Sequence, residues 1–394
     1  MLPKNKLAAF LIVAALLVAT PLVAQYFGNA WVRIIDIALL YVLLALGLNI
    51  VVGYAGLLDL GYIAFYAVGA YMFGLLASPH LTDTFPFFKA MFPNGLHTPL
   101  WVVIPLAAVL AGGAGVLLGA PTLKLRGDYL AIVTLGFGEI IRVFVNNLDA
   151  PVNITNGPKG ISQIDSVKLG PLDLGRTLDL GFISLPAVTL YYYLFLVLVI
   201  VSVVICDRLE RSRIGRAWMA IREDEVAAKA MGINTRNLKL LAFGMGATFG
   251  GVSGVMFASF QGFISPESFS LPESIMIVAM VVLGGIGHLP GVIVGALLLA
   301  ALPEVLRYVA GPLQQMTDGR LDAAILRQLL IALAMIGIML ARPRGLWPSP
   351  EHGDVAPQPE IEPPPDDKPG VPQRVAPLTS TVTNPVHGTG ARHV

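Results

Sequence analysis

The chain has 394 residues, of which 55% are hydrophobic and only 13% are charged. Soluble domains carry about 25% charged residues, so the composition argues strongly against a soluble enzyme. The formal net charge of +1 leaves no basic surface for nucleic acid. The single cysteine, Cys206, excludes an intramolecular disulfide and a thiolate metal cluster. The composition therefore predicts an all-α protein that crosses a membrane several times.

Ten apolar segments reach about the 20 residues that a helix needs to cross a bilayer. The first also has the basic start of a signal peptide, but its apolar run is long for one, and we expect it to be retained. Together the segments predict a membrane domain over residues 1–342 with about ten transmembrane helices. They lie near residues 7–24, 33–52, 56–77, 100–119, 129–148, 186–206, 239–261, 274–289, 292–311 and 323–341.

The charged residues are concentrated in one internal loop, residues 207–239, which holds 13 of them. Further lysines and arginines lie before the first span, after the fourth and after the tenth. With ten spans, all of these basic stretches fall on one side of the membrane, and the positive-inside rule assigns that side to the cytoplasm. Both termini are therefore expected in the cytoplasm, and the loop at 149–185 is expected outside.

Residues 343–394 form a polar tail that contains 12 of the 29 prolines. Such a composition cannot bury enough apolar surface to fold. We expect this segment to be a disordered cytoplasmic tail.

Residues 216–232, within the charged loop, have the pattern of a short amphipathic helix. Gly232 suits the position just after a helix, where a left-handed backbone is preferred, and Glu225 precedes Lys229 by the four residues of a helical ion pair. The helix could lie on lipid headgroups or dock on a partner protein. Its apolar face is expected to comprise Ala217, Ile221, Ala228 and Met231.

Several polar residues fall within the predicted spans. Glu139 and Arg142 are three residues apart on one helical face and can pair, which lowers the cost of placing them in lipid. Such a pair either only neutralises itself or takes part in a transport pathway. Asp36 and Asp59 are further candidates for the pathway.

A possible break in the backbone lies between the second and third spans. Gly53 and Gly56 flank Tyr54 and follow Asn49, and two glycines at this spacing permit a bend. The bend is either an unwound segment that lines a transport site or a short cytoplasmic turn. We include Asn49, Gly53, Tyr54 and Gly56 among the candidate pathway residues.

The charged loop resembles the EAA loop of ABC importer permeases. The resemblance rests on Glu225-Val226-Ala227-Ala228 with Gly232 four residues later. In that family the loop forms the coupling helix that sits in a cleft of the cytoplasmic ATPase. The resemblance implies that the loop contacts an ATPase through Arg216, Arg222, Glu225, Ala228 and Gly232.

Three other segments, 47–71, 125–142 and 282–304, are similar to branched-chain amino acid permeases of the LivM type. The similarity covers about residues 30–345 and implies the helical fold of the branched-chain amino acid and ribose permease superfamily. Residues 156–160 resemble an outer-loop motif of the family, with departures at Asn156 and Lys159. Asp59 stands where many relatives have serine, so the substrate range does not transfer directly.

The resemblance implies a multi-pass protein of the bacterial inner membrane that works in an assembly. The expected partners are a second permease, two ATP-binding subunits and an outside solute-binding protein that delivers the amino acid. The chain contains no Gly-Lys dipeptide and hence no phosphate-binding P-loop. ATP and Mg²⁺ are therefore expected in the partner subunits, with no cofactor, metal or enzyme activity in this chain.

Three alternatives remain open from the sequence. A urea or short-amide ABC permease is closely related and would share the same motifs. An ion-coupled secondary transporter would explain the carboxylates Asp36, Asp59 and Glu139 but gives no reason for the EAA-like loop. An intramembrane enzyme would need catalytic groups that converge within the spans, and the sequence shows only weak convergence.

Overall fold

The computed structural model describes residues 4–93, 95–123, 125, 127–170, 172–179, 184–316, 323–342 and 345–347. Most of these residues are helical. The α-helices of the described chain are α1 (Lys4–Phe27), α2 (Asn29–Asn49), α3 (Ile63–Leu76), α4 (His80–Thr84), α5 (Pro86–Met91), α6 (Leu100–Thr122), α7 (Asp128–Asn146), α8 (Ala187–Glu210), α9 (Arg213–Glu223), α10 (Glu225–Ala230), α11 (Thr235–Gln261), α12 (Leu271–Gly284), α13 (Leu289–Met316) and α14 (Ala323–Ala341). A π-helical turn, Ile50–Tyr54, directly continues α2.

Each apolar segment expected to span the membrane coincides with a helix of the described residues, so the all-α architecture is confirmed. The third span, expected from residue 56, begins instead at Ile63, because residues 55–62 leave the helix. Among the described residues, six helices are long and apolar enough to cross a bilayer: Asn29–Tyr54, Leu100–Thr122, Ala187–Glu210, Thr235–Gln261, Pro266–Gly284 and Leu289–Leu306.

Helix α11 packs against α6, α3 and α2, and small residues make these contacts possible. A Cβ added at Gly250 would lie 3.0 Å from the Cβ of Phe65 on α3, and one at Gly251 would lie 2.8 Å from the carbonyl oxygen of Ala107 on α6. Small residues allow helix backbones to approach closely where lipid supplies no hydrophobic driving force. Gly250 and Gly251 of α11 are thus internal packing positions of the bundle.

Short strands order the 149–185 segment. β1 (Ile161–Ser162) pairs antiparallel with the strand between α11 and α12, which ties the segment to that end of the bundle. Two further pairs of antiparallel strands lie within the segment. The remaining strands are β2 (Lys168–Leu169), β3 (Leu172–Asp173), β4 (Leu178–Asp179), β5 (Ser184–Leu185) and β6 (Phe263–Ile264), and 3-10 turns occur at Gly157–Lys159 and Pro266–Phe269.

The beginning of the predicted tail is packed against the bundle. The backbone N–H groups of Leu346 and Trp347 donate to the carbonyl oxygens of Leu283 (2.8 Å) and Gly284 (3.2 Å) at the end of α12. These backbone bonds attach residues 346 and 347 to the end of α12. The rest of the predicted tail, 348–394, lies outside the described residues.

Candidate functional site

The charged loop forms two helices rather than the single helix expected over 216–232. Asp224 has an extended backbone between α9 and α10, and its carboxylate accepts hydrogen bonds from the N–H groups of Val226 (2.7 Å) and Ala227 (3.0 Å). Aspartate is a favourable N-cap because its side chain satisfies the free donors of a new helix. Asp224 therefore starts the second helix.

The loop packs onto its own bundle through one face. Ile221 and Ala228 are each 4% exposed, and the indole N–H of the buried Trp218 donates to the carbonyl oxygen of Leu238 at 2.7 Å. Met231, expected on the same face, is 84% exposed, so that part of the prediction is wrong. Met231 lies directly after Ala230, the last residue of α10, which is also exposed.

An ion pair fixes the start of α10 to α11. The carboxylate of Glu225 lies 2.7 Å from the ammonium of Lys239, whose side chain is only 10% exposed. The predicted partner Lys229 is exposed instead. Glu225 lies in the first turn of a six-residue helix and faces the bundle. It therefore pairs with Lys239 of α11 rather than with Lys229 of its own helix.

The backbone is broken just after α2, and several residues of the break are buried in protein, whereas Gly56 is exposed. Following the π-helical turn, residues 55–61 are irregular, with Ala55 2%, Leu57 7% and Asp59 1% exposed. Irregular backbone survives at membrane depth only where protein or water covers it. The burial favours an unwound segment over a short exposed turn.

The break is held by side chains of three other elements. Asp59 accepts from the N–H of Gly61 at 2.8 Å, and the N–H of Leu60 donates to the hydroxyl of Thr134 on α7 at 3.0 Å. The hydroxyl of Ser274 on α12 donates to the carbonyl oxygen of Leu60 at 2.5 Å. On the other flank, the phenol of Tyr54 donates to Glu210 at 3.2 Å.

Arg222 connects the charged loop to this break. Its guanidinium donates to the carbonyl oxygen of Gly53 at 2.6 Å, and its side chain also borders Gly56. Burial lowers the pKa of Arg222 from its ordinary value, yet a guanidinium stays charged at neutral pH. A half-buried cation of the loop is thus bonded to the backbone of the second span.

Gly287, between α12 and α13, also lies close to Arg222. The N–H of Gly287 donates to the side-chain oxygen of Asn49 at 3.0 Å. Gly287 has φ +83°, and a Cβ there would lie 2.7 Å from the guanidinium of Arg222, so no other residue fits without displacement. We refer to Asn49, Gly53, Arg222 and Gly287 as the arginine junction.

A cavity of about 310 Å³ lies beside the arginine junction. It is lined by residues 55–58 of the break, by the start of α7, and by Ile221, Arg222, Glu225 and Lys239 of the loop and α11. We call it the loop cavity. Movement of the loop would change its shape, because four of its lining side chains come from residues 221–239.

The remaining candidate residues lie apart from the arginine junction. Arg142 lies 2.9 Å from the carboxylate of Glu139, which confirms the predicted pair, and 3.3 Å from that of Glu267 in the turn before α12. Arg216 is exposed and donates to the carbonyl oxygen of Arg211 at 2.9 Å. Gly232 has φ +84°, the left-handed conformation expected for it.

The buried carboxylate of Asp36 on α2 has no hydrogen-bond partner among the described residues. Within the same part of the chain, no three His, Cys, Asp or Glu side chains are grouped so as to hold a metal ion.

Comparison with known proteins identifies the family. A sequence profile described as the branched-chain amino acid transport system permease component matches residues 30–339. The chain belongs to this permease family. The permease is 42% identical to the high-affinity branched-chain amino acid transport system permease protein LivM of Escherichia coli, over 80% of this chain and 70% of that protein.

More distant relatives are also permease proteins. A probable LivM protein of Methanocaldococcus jannaschii is 26% identical over 78% of this chain and 90% of its own length. The LivH permease protein of Escherichia coli is 25% identical over 66% of this chain and 79% of its own length. No solved structure matches the chain. This permease is therefore of the LivM type, a multi-pass inner-membrane transport subunit and not an enzyme.

Sequence reasoning missed several residues that hold the charged loop or the backbone break in place. Trp218, Lys239 and Ser274 carry no motif, and only tertiary packing reveals their partners. Gly287 lies in a glycine-rich interruption that is visible in the sequence. The interruption indicates a break between two helices, but not that the break faces Arg222.

Proposed function

We propose that this permease forms part of the pathway of an ATP-driven importer for branched-chain amino acids. It works with a second permease chain, two ATP-binding subunits that use ATP and Mg²⁺, and a solute-binding protein outside. Family membership supports the substrate class, and the names of the curated relatives support branched-chain amino acids over urea. The observation that carries the mechanism is the bond from Arg222 to Gly53.

The exposed side of α10 is the surface that docks on an ATP-binding subunit. Val226 is 69% exposed and Met231 is 84% exposed, and both lie in the loop whose other face is packed on the bundle. Exposed apolar side chains are available for contacts with other proteins. Ala228 and Glu225 face inward, so their role is to hold the loop in register, whereas the docking contact itself falls on Val226, Met231 and Gly232.

Motion of the loop reaches the pathway through Arg222. A shift of α9 pulls on the carbonyl group of Gly53, to which the guanidinium of Arg222 donates, and moves that guanidinium relative to Gly287, where an added Cβ would lie 2.7 Å from it. The break between residues 55 and 61 has no helical hydrogen-bond ladder to resist this pull. The loop cavity then opens or closes with the nucleotide state of the ATP-binding subunits.

The orientation follows from charge. The loop 207–239 and both termini lie in the cytoplasm, because short loops rich in Lys and Arg remain on that side. The 149–185 segment then lies outside, where it receives the solute-binding protein. Cysteine labelling from either side, with single cysteines at exposed positions such as Met231 and Met91, tests this orientation.

Uptake by the reconstituted assembly tests the function. We expect proteoliposomes with all partner subunits to accumulate labelled leucine, isoleucine and valine. Accumulation should require ATP on the side of the membrane that the charged loop faces. Unlabelled valine should compete, and urea should not. ATP-independent uptake by the permease alone in an ion gradient would instead support a secondary transporter and refute the proposal.

Docking of α10 is tested by a charge on its exposed side. Met231→Asp should lower recovery of the ATP-binding subunit with the affinity-purified permease at least fivefold, because a carboxylate is costly in an apolar contact. The control Met91→Asp places the same change at a 57% exposed methionine on α5. Equal recovery with both variants would show that α10 is not the docking surface.

A further inference from the structure

A second cavity lies at the other end of α11 from the charged loop. It occupies about 250 Å³ between α2, α3, α11 and α12. Helix α11 has 27 residues, which corresponds to roughly 40 Å at about 1.5 Å per residue. The cavity is lined by Tyr41, Tyr66, Phe257, Phe260, Gln261 and Glu273 among others, and we call it the aromatic cavity.

The aromatic cavity contains the carboxylate of Glu273. The phenol of Tyr41 donates to Glu273 at 2.7 Å, and none of the ion pairs found among the described residues includes Glu273. Glu273 lies in the first turn of α12, is partly exposed and lines the cavity, so its charge is available to a ligand. The faces of Tyr66 and Phe257, whose rings lie 5.3 Å apart, add a surface that attracts cations.

A fixed cation lies at the edge of the same cavity. The guanidinium of Arg33 donates to the side-chain oxygen of Gln261, a lining residue. It also lies over the ring of Phe260, 5.5 Å from the centroid. The cavity therefore offers an acidic group inside, a basic group at its edge, and aromatic and aliphatic walls, including Leu40, between them.

Two adjacent residues of α12 connect the aromatic cavity to the break. Ser274, which follows Glu273, donates to the carbonyl oxygen of Leu60. Leu57 and Leu58 of the same segment line the loop cavity. A ligand that moves Glu273 therefore acts on the segment that borders the other cavity.

We propose that the aromatic cavity binds the transported α-amino acid as a zwitterion. Its ammonium group is held by Glu273 and Tyr41, its carboxylate points towards Arg33 and Gln261, and its aliphatic side chain lies against Leu40 and the aromatic rings. The volume fits one small molecule, below the roughly 300–1,000 Å³ of drug-sized sites. This assignment rests on the proposed amino acid transport, and it adds the residues that contact the substrate.

Direct binding of labelled leucine to the assembled transporter, without the solute-binding protein, tests the site. Glu273→Gln should weaken binding at least tenfold, and Tyr41→Phe should weaken it about threefold. Glu273→Asp keeps the charge on a shorter side chain and should fall between wild type and Glu273→Gln. The controls are Tyr193→Phe, which removes a phenol bonded to Val18 on α1, and Asp83→Asn, which removes an exposed carboxylate on α4; both should bind as wild type.

Competition separates a zwitterion site from a cation site. 3-Methylbutylamine lacks the carboxylate and 4-methylpentanoate lacks the amine, and each should compete with leucine at least tenfold more weakly than valine does. Competition by the amine as strong as that by valine would overturn the proposal and indicate a site for organic cations or lipid headgroups.

Failure of this inference is distinguishable from failure of the proposed function. If wild-type proteoliposomes do not take up branched-chain amino acids, the function is wrong. If they do, and Glu273→Gln binds and transports leucine as wild type does, only the cavity assignment is overturned. Each variant is first checked for assembly with its partners and for an unchanged unfolding temperature, and a variant that fails this check is replaced by Glu273→Asp as the deciding measurement.

Discussion

The aromatic cavity and the arginine junction are built on opposite physical principles. The aromatic cavity is open space of about 250 Å³ with a carboxylate that has no ion pair among the described residues. The arginine junction is instead a close contact on the wall of the loop cavity: a Cβ at Gly287 would lie 2.7 Å from the guanidinium of Arg222, which donates to the carbonyl oxygen of Gly53 at 2.6 Å. The first region is suited to receive a ligand, whereas the second is suited to transmit displacement.

Substitutions in the two regions are therefore expected to have different effects on transport. A change in the aromatic cavity alters the affinity for substrate and leaves coupling to ATP intact. A change at the arginine junction leaves substrate binding intact and alters uptake per ATP hydrolysed. Residues 57–60 connect the two regions, because Leu60 bonds to α12 and Leu57 borders the loop cavity.

The largest effect is expected from Arg222→Ala. This change leaves the buried carbonyl oxygen of Gly53 without its donor, at a cost of about 1–3 kcal/mol, and disconnects the loop from the break. We expect leucine uptake to fall at least tenfold while leucine binding and ATP hydrolysis stay within twofold of wild type. Uptake and hydrolysis are measured on the same proteoliposomes, so that their ratio reports coupling.

Two further arginine variants distinguish position from charge. Arg222→Lys retains the charge but not the planar fork of donors, and it should recover only part of the uptake. Arg213→Ala removes an exposed cation from the same helix, and this variant should keep at least half of the wild-type leucine uptake. Normal transport by Arg222→Ala would show that the arginine junction does not transmit motion. The proposed difference in role between the two regions would then be wrong.

An intermediate effect is expected from Gly287→Ala. The added methyl group meets the guanidinium of Arg222, and φ +83° is strained for any residue with a Cβ. Uptake should fall about three- to tenfold with unchanged leucine binding. Gly113→Ala on α6, where a Cβ meets no atom within 4 Å, is the matched control and should behave as wild type; equal losses in both variants would refute the steric argument.

Local patterns predicted much of this fold because membrane spans are determined by composition along one stretch of chain. The pairing of Glu139 with Arg142 likewise follows from spacing within a single helix. The sequence also indicates a bend near Gly53 and Gly56, since two glycines at short spacing weaken a helix.

Contacts between distant residues could not be predicted in this way. Glu225 pairs with Lys239 rather than with Lys229 because the chain folds back at Asp224, and helical spacing contains no information about that fold. Arg222 looks like a surface residue of an amphipathic helix, and its contact with Gly53 spans 169 positions. The aromatic cavity was missed for the same reason, because its walls come from four separate helices.

The smallest effect is expected from Trp218→Phe. The change removes the hydrogen bond to Leu238 and should lower the free energy of unfolding by about 0.5–1.5 kcal/mol, while the ring still fills its buried site. Uptake should stay within twofold of wild type, and thermal unfolding of the purified permease measures the loss. Trp101→Phe, at a 60% exposed site on α6, should not change the unfolding temperature. A tenfold loss of uptake in Trp218→Phe would mean that the whole packed face of the loop, rather than Arg222 specifically, couples the loop to the pathway.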